Sequence, residues 1–271
     1  MGRMMILLGA GLGFLALSGA LQADQVDYLT VAVSAEKSGA SSTLVEKGQP
    51  ATAYGADKAV DGNQGTAWCE GKPGPGIGEW VDIAIKPRWA EGLLVAHGVS
   101  ASRKLYEANN RIREYEIQAR TSGGKTLVVK GEFKDQACGA LDERKCDTGD
   151  AVKDKKCSEE QAKACQPWPD TYGSLPGEYI PLPAEQIGFT ASEKNPAPCV
   201  TGVKIIIRSV YKGTKYDDTC ITEFAPTVNL EGPVNHFRVD QIQKMEKEKK
   251  IKYKDAKVLV DREEEVLCRA Q

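Results

Sequence analysis

Histidine is the scarcest of the residues that could do chemistry here: the 271-residue chain has only His97 and His236. A Ser–His–Asp or Cys–His centre needs an imidazole within reach of a nucleophile. His97 follows Leu93-Leu94-Val95-Ala96 and precedes Gly98, which suits the end of a strand, and His236 lies in a charge-dense C-terminal stretch. Both read as structural or surface residues. Glycoside hydrolysis needs only two carboxylates, and with 38 acidic residues that class stays open, although no pair stands out by position. Asp61-Gly62-Asn63-Gln64-Gly65-Thr66 is a different kind of candidate. Gly62 takes a positive φ at no steric cost, so the chain can turn sharply after Asp61. That brings Asp61 near Thr66 with backbone carbonyls between them, an oxygen-rich loop suited to a hard cation. The same two side chains would equally serve to cap the turn by hydrogen bonding.

The eight cysteines are Cys69, Cys138, Cys146, Cys157, Cys165, Cys199, Cys220 and Cys268. None forms a C-x-x-C pair and none has a nearby His, so a zinc site is poorly supported. Their even number points to disulfides in an exported protein. The N-terminus agrees: Arg3, a short apolar run, then Ala20-Leu21-Gln22-Ala23 before Asp24 read as a signal peptide over residues 1–23. The other reading of that run is an uncleaved anchor; after cleavage no membrane span is expected. The formal charge is −2, too weak to suggest nucleic acid or an anionic membrane as a partner.

The elements that must position these residues are strands. In Trp80–Ile85 the residues Val81, Ile83 and Ile85 share one face; Tyr115, Ile117 and Ala119 alternate inward in Glu114–Thr121; Val203, Ile205 and Ile207 do so in Gly202–Tyr211. Tyr28–Ser34 alternates too, and Gly123-Gly124 turns the chain into a strand after Lys125. Period-2 runs broken by Gly, Pro, Asn and Asp predict an all-β fold, an antiparallel β-sandwich or jelly roll. Residues 136–170 depart from it: polar, with four cysteines, they read as a disulfide-stapled, partly helical insertion in which Ser158 and Gln161 form a capping box. Residues 24–232 are then the sandwich. Residues 233–271 are a charged extension, a solvated helix or tail, with Cys268 suggesting that its end is tied back.

Five blocks in order carry a family resemblance: "GASSTL" (39–44), "YGADKAVDGNQGTAW" (54–68), "EGKPGPGIGEWVDI" (70–83), "HGVSASRKLYEANNRIREYEI" (97–117) and "VYKGTKYDDTCITEF" (210–224). The chain resembles the NADase-type glycan-binding domain, a relative of the discoidin or galactose-binding-like sandwich, over roughly residues 35–230 less the insertion. It departs from that pattern in Thr222 where Ser is usual, in Cys69 and Cys220, and in the insertion.

The resemblance implies a non-catalytic carbohydrate-binding module, secreted, periplasmic or on the cell surface. It also implies a structural calcium held by the side chains of Asp61, Thr66 and Glu223, with carbonyls near Ala59 and Asn63. The two blocks that hold Cys69 and Cys220 lie side by side in the family, which makes these two partners; the four insertion cysteines then pair among themselves and Cys199 with Cys268. Polar side chains on loops beside aromatics are the glycan candidates: Tyr106, Asn109, Arg111, Tyr211 and Tyr216. Arg111 has a competing role as partner of Glu70 or Glu79. Trp68 and Trp80 read as core residues, and the Gly/Pro run Gly71–Gly78 as a rim loop where a ligand would be sought. A second function is a protein-interaction or structural module that holds a partner through the insertion or the C-terminal extension; a third is a carboxylate-pair hydrolase.

Overall fold

A computed structural model describes residues 28–30, 38–135, 153, 177–192, 195–229 and 232–270. The signal segment and all but one residue of the insertion, with its cysteines and its capping box, lie outside the described residues.

Alternation along the strands sets the fold, because a pleated strand offers one face to a core and the other to solvent. β1 (Tyr28–Thr30), β12 (Cys220–Asn229), β5 (Gly92–His97) and β9 (Glu178–Pro181) follow one another across the first sheet, and β3 (Trp68–Cys69) also pairs with β12. The second sheet runs β2 (Ser38–Ala40), β4 (Trp80–Trp89), β10 (Cys199–Ile207), β7 (Glu114–Thr121), β8 (Thr126–Glu132). A two-stranded ribbon joins β6 (Arg111–Ile112) to β11 (Val210–Tyr211), and every pairing of named strands is antiparallel.

The register places Ile205 opposite both Val81 and Ile117, so the three predicted apolar faces meet in one layer. Val81, Ile83, Ile117, Ala119, Val203, Ile205 and Ile207 are all fully buried, and they pack against Leu93, Val95, Ile221, Phe224 and Trp68 of the first sheet. Each large side chain so buried stabilises the fold by roughly 1.5–3 kcal/mol. Trp68 is a core residue as expected. Trp80 sits on the outer face, half-buried, with Lys204 Nζ 4.0 Å from its ring centroid.

The C-terminal extension is more than a solvated tail. It folds as two helices, α2 (Pro233–Lys249) and α3 (Tyr253–Arg269); Pro233 opens the first, where its missing N–H costs nothing. Lys250, in the left-handed region at φ 53°, turns the chain between them. Ile242 and Met245 face Ala256 and Val260 to hold the hairpin together. Val234, Phe237 and Cys268 pack on Trp89, Cys199 and Val228, and Cys268 is bonded to Cys199. The join also buries charge. Glu264 accepts from the Trp89 amide at 2.9 Å and faces Arg238 and Arg88 at 3.5 and 3.7 Å. Burial pushes the Glu264 carboxyl up against the pull of these partners. Removing one member leaves buried charge uncompensated. Glu264→Ala should therefore lower unfolding stability by about 3 kcal/mol, read as a shift of the urea midpoint.

Candidate functional site

The loop after Asp61 closes on itself and on the far end of the chain. Gly62 has φ +71°, the left-handed conformation the turn requires. Asp61 Oδ1 accepts from the Asn63 amide at 3.0 Å and lies 2.8 Å from the Thr66 hydroxyl. The Gly62 N–H donates to Glu223 Oε2 at 2.8 Å, across 161 residues of sequence. The structure thus brings Asp61, Thr66 and Glu223 together in one clasp. Burial pushes the Glu223 carboxyl up to about 8, the Gly62 N–H opposing and the Asp61 charge adding to the rise. All the side-chain donors are oxygens, and the half-buried Glu223 carboxyl has no ion pair among the described residues, so the set fits a hard cation in chemistry. The hydrogen bonds already present also close the turn without one. Among the described residues no three Asp, Glu, His or Cys side chains gather in a metal cluster.

Beside this clasp, Trp68 and Cys69 lie opposite Ile221 and Cys220, and Cys69 is bonded to Cys220. Both cysteines are buried. The bond closes a loop of 151 residues, which in the chain-entropy model stabilises the fold by roughly 5 kcal/mol. Next to it, Glu70 is fully buried and accepts from the amides of Lys72 and Thr219 at 2.7 and 3.3 Å. Burial raises its carboxyl, against those two amides. Gly76, at φ +64°, lies over this carboxyl: a Cβ there would come within 2.5 Å of Glu70. The Gly/Pro run therefore wraps a buried glutamate. None of residues 71–78 lines the loop-end cavity.

That cavity, of about 380 Å³, opens at the clasp end of the sandwich. Its floor includes Cys69, Ala67 and Thr66, and its walls include Tyr54, Glu46, Asp218, Tyr216, Leu105 and Asn109. Tyr216 and Leu105 are 39 and 40 % exposed, large apolar surfaces left in solvent. The Tyr54 hydroxyl donates to Glu46 Oε2 at 2.8 Å; that bond, then burial and the charges of Glu46 and Asp218, raise the phenol. The Asp218 carboxyl is raised by burial first, then by the charges of Asp217 and Glu46.

Two of the five predicted glycan residues, Asn109 and Tyr216, line this cavity. Asn109 is held by its own Nδ2–H, which donates to the Leu105 carbonyl at 2.8 Å. The structure places the other three elsewhere. Tyr106, on α1 (Arg103–Ala108), is 1 % exposed, with its hydroxyl 3.4 Å from His97 Nε2. Arg111 is buried and bidentate to Asp135, at 2.9 and 2.8 Å. Asp135 takes the partner role that the sequence suggested for Glu70 or Glu79. Tyr211 donates towards Glu132 and the Phe133 carbonyl, under Arg113. Tyr106 and Arg111 are both buried and neither lines the cavity, which corrects them as ligand residues. His97 is a core residue too, stacked on Phe133 at 4.6 Å and pushed down to about 4 by burial.

The cavity residues that sequence reasoning missed are Glu46, Tyr54, Leu105 and Asp218. Tyr54 and Asp218 stand inside the "YGADKAVDGNQGTAW" and "VYKGTKYDDTCITEF" blocks, next to residues singled out there, so their position was a usable signal. Nothing in sequence marks Glu46.

Two facing antiparallel sheets, closed at one end by an Asp-Gly clasp beside a loop cavity, define a discoidin-type sandwich. The chain belongs to the NAD glycohydrolase translocation F5/8 type C domain family, whose model matches residues 28–165, about half its length. The matched stretch runs into the Cys-rich insertion and stops short of the closing block at 210–224. No curated protein matches the sequence. Among solved structures, the chain is similar to the family 32 carbohydrate-binding module of Clostridium perfringens NanJ in complex with galactose, at 15 % identity and TM-score 0.40, over 71 % of this chain and 93 % of that one. An F5/8 type C domain from Bacteroides fragilis matches at 14 % identity and TM-score 0.40, over 74 % and 97 %. Another Clostridium perfringens module, in complex with GlcNAc-α-1,4-galactose, matches at 10 % and 0.38, over 74 % and 95 %.

Two outcomes are expected. Arg111→Ala removes both guanidinium hydrogen bonds to the Asp135 carboxylate and should destabilise the fold by about 3 kcal/mol, measured by chemical denaturation. The second concerns Glu223. Its raised folded pKa means that its contribution is fully present below the unfolded value, about 4.3, and is lost as pH rises through about 8. In chelator, stability should fall from mildly acid to mildly alkaline pH, and Glu223→Gln should flatten that fall in thermal melts.

Proposed function

We propose that the chain is an exported, non-catalytic carbohydrate-binding module whose ligand enters the loop-end cavity, with a calcium ion bracing the clasp. The observation that carries this reading is the cavity itself. Partly exposed apolar surfaces of Tyr216 and Leu105 stand beside the hydrogen-bonding groups of Tyr54, Glu46, Asn109 and Asp218. A sugar ring needs an apolar face to stack on and a few fixed donors and acceptors around it. Glu46 and Asp218 can each accept from hydroxyls, and Asn109 keeps its amide oxygen free of the bond that orients it. Export rests on the signal-like N-terminus together with two disulfides, which fit an oxidising compartment. No described helix is long and apolar enough to cross a membrane.

Asp61, Thr66 and Glu223 would hold the calcium, with backbone carbonyls of the turn. The ion would supply positive charge to a carboxylate that burial otherwise keeps protonated. Calcium should therefore raise the melting temperature more at alkaline than at mildly acid pH, and Glu223→Gln should abolish the difference. No calcium-dependent shift at any pH would remove the ion from the proposal.

One observation favours a second reading. Glu46 and Asp218 line the same cavity, one hydrogen-bonded and exposed, the other raised by burial. Glycoside hydrolysis needs two carboxyls in one cleft. Release of reducing ends from a bound oligosaccharide, lost in Asp218→Asn, would establish that activity; binding without release leaves the module non-catalytic. On a glycan array the oxidised protein should bind at least one sugar class. Tyr216→Ala should weaken that binding about tenfold or more with no change in melting temperature, since its ring is largely outside the core.

A further inference from the structure

The charge lining the cavity is one-sided. Glu46 and Asp218 both face it, and none of the residues that line it is Lys, Arg or His. Asp217, next in the chain, adds to the negative charge; its Oδ1 is 3.1 Å from Asn110 Nδ2, a neutral donor. Two nearby cations have partners of their own, one of them on a ring that lines the cavity. Lys215 Nζ lies 4.6 Å from the Tyr216 ring centroid, and Lys58 pairs with Asp57 at 3.1 Å and Asp61 at 3.7 Å. Glu46 is satisfied on one oxygen by the neutral Tyr54 hydroxyl. We propose that the cavity prefers sugars bearing a free amine, such as hexosamines without an N-acetyl group, over neutral, N-acetylated or acidic sugars.

This rests on the cavity being a glycan site and names the class of glycan. An ammonium group placed between Glu46 and Asp218 relieves the repulsion between two carboxylates, which a neutral sugar leaves in place. The raised Asp218 and Tyr54 groups are consistent with that unrelieved negative charge. Tyr54 offers an electron-rich face to the same cation, whereas Tyr216 already carries Lys215 over its ring. Leu105 and the Tyr216 ring give the pyranose its apolar surface, and Asn109 supplies a neutral partner for its hydroxyls. These features favour a sugar over a basic peptide, whose flexible alkyl ammonium has no ring to stack. Uronic or sialic acids would meet two carboxylates in a lining that holds no Lys, Arg or His. Binding should weaken as pH falls through the raised Asp218 value, because the acceptor loses its charge, and should weaken in salt.

Calorimetric titration of the oxidised full-length protein tests this with four probes: a glucosamine tetrasaccharide, its fully N-acetylated counterpart, a neutral glucose tetrasaccharide and tetralysine. The glucosamine tetrasaccharide should bind about tenfold or more tighter than the acetylated one, with the gap shrinking in salt. Asp218→Asn and Glu46→Gln should each close much of the gap by weakening the glucosamine tetrasaccharide more than the acetylated one. Equal or tighter binding of the acetylated or neutral sugar overturns the amine preference and leaves the glycan site standing. Tetralysine binding as tightly as the amino sugar overturns it in favour of a basic peptide. Failure of all four probes overturns the amine preference; failure of the glycan array as well overturns the glycan reading on which it rests.

Discussion

The pairing of Trp68 and Cys69 with Ile221 and Cys220 joins segments that the chain separates by some 150 residues. Everything at the loop end depends on that register. It sets Glu223 where the Gly62 amide can reach it. It sets Thr219 where the buried Glu70 carboxylate can hold its amide. It therefore also fixes the adjacent Asp218, Asp217 and Tyr216, three residues with no strand of their own. A one-residue slip would turn each of these side chains to the opposite face. The disulfide prevents such a slip covalently, and the fully buried Trp68 opposes it by packing.

Two kinds of buried polar group do different work in this frame. Glu70 and Glu223 are acceptors for backbone amides and have no Lys or Arg partner among their hydrogen bonds. Arg111–Asp135 and Arg238–Asp261–Glu264 are ion pairs that join segments distant in sequence. The first kind shapes loops next to the cavity, and burial raises both carboxyls. The second kind joins larger parts: Asp135 stands at the root of the insertion, and Asp261 and Glu264 fix the helical hairpin to the sandwich. Buried pairs of that sort specify which segment docks where more reliably than they add net stability.

The sandwich was legible because alternation is a strong signal: Val81, Ile83 and Ile85, or Tyr115, Ile117 and Ala119, could face only one way. The Asp61 turn was legible from Gly62, since few other residues take that conformation. The helical hairpin was not. Val234, Ile242, Met245 and Val260 are spread thinly among Lys and Glu, and much of the docking surface is made of buried charges that sequence patterns assign to solvent. The cavity was half legible. Asn109 and Tyr216 stood out as polar or aromatic loop residues, but Glu46 and Asp218 resemble any surface acid until the fold brings them to one opening. Arg111 and Tyr106 were misread for the opposite reason: residue types that suit a binding site also suit a buried network when Asp135 or His97 lies beside them.

The two disulfides among the described residues overlap along the chain. Cys199 lies inside the loop closed by Cys69–Cys220, and Cys220 lies inside the loop closed by Cys199–Cys268. The polypeptide from 69 to 268 is thus interlocked. A protease that nicks it once anywhere in that span, the Cys-rich insertion included, frees no fragment, because at least one bond still bridges the cut. In a compartment rich in proteases, a single cleavage would leave the strand register, the clasp and the helical hairpin tethered as one molecule.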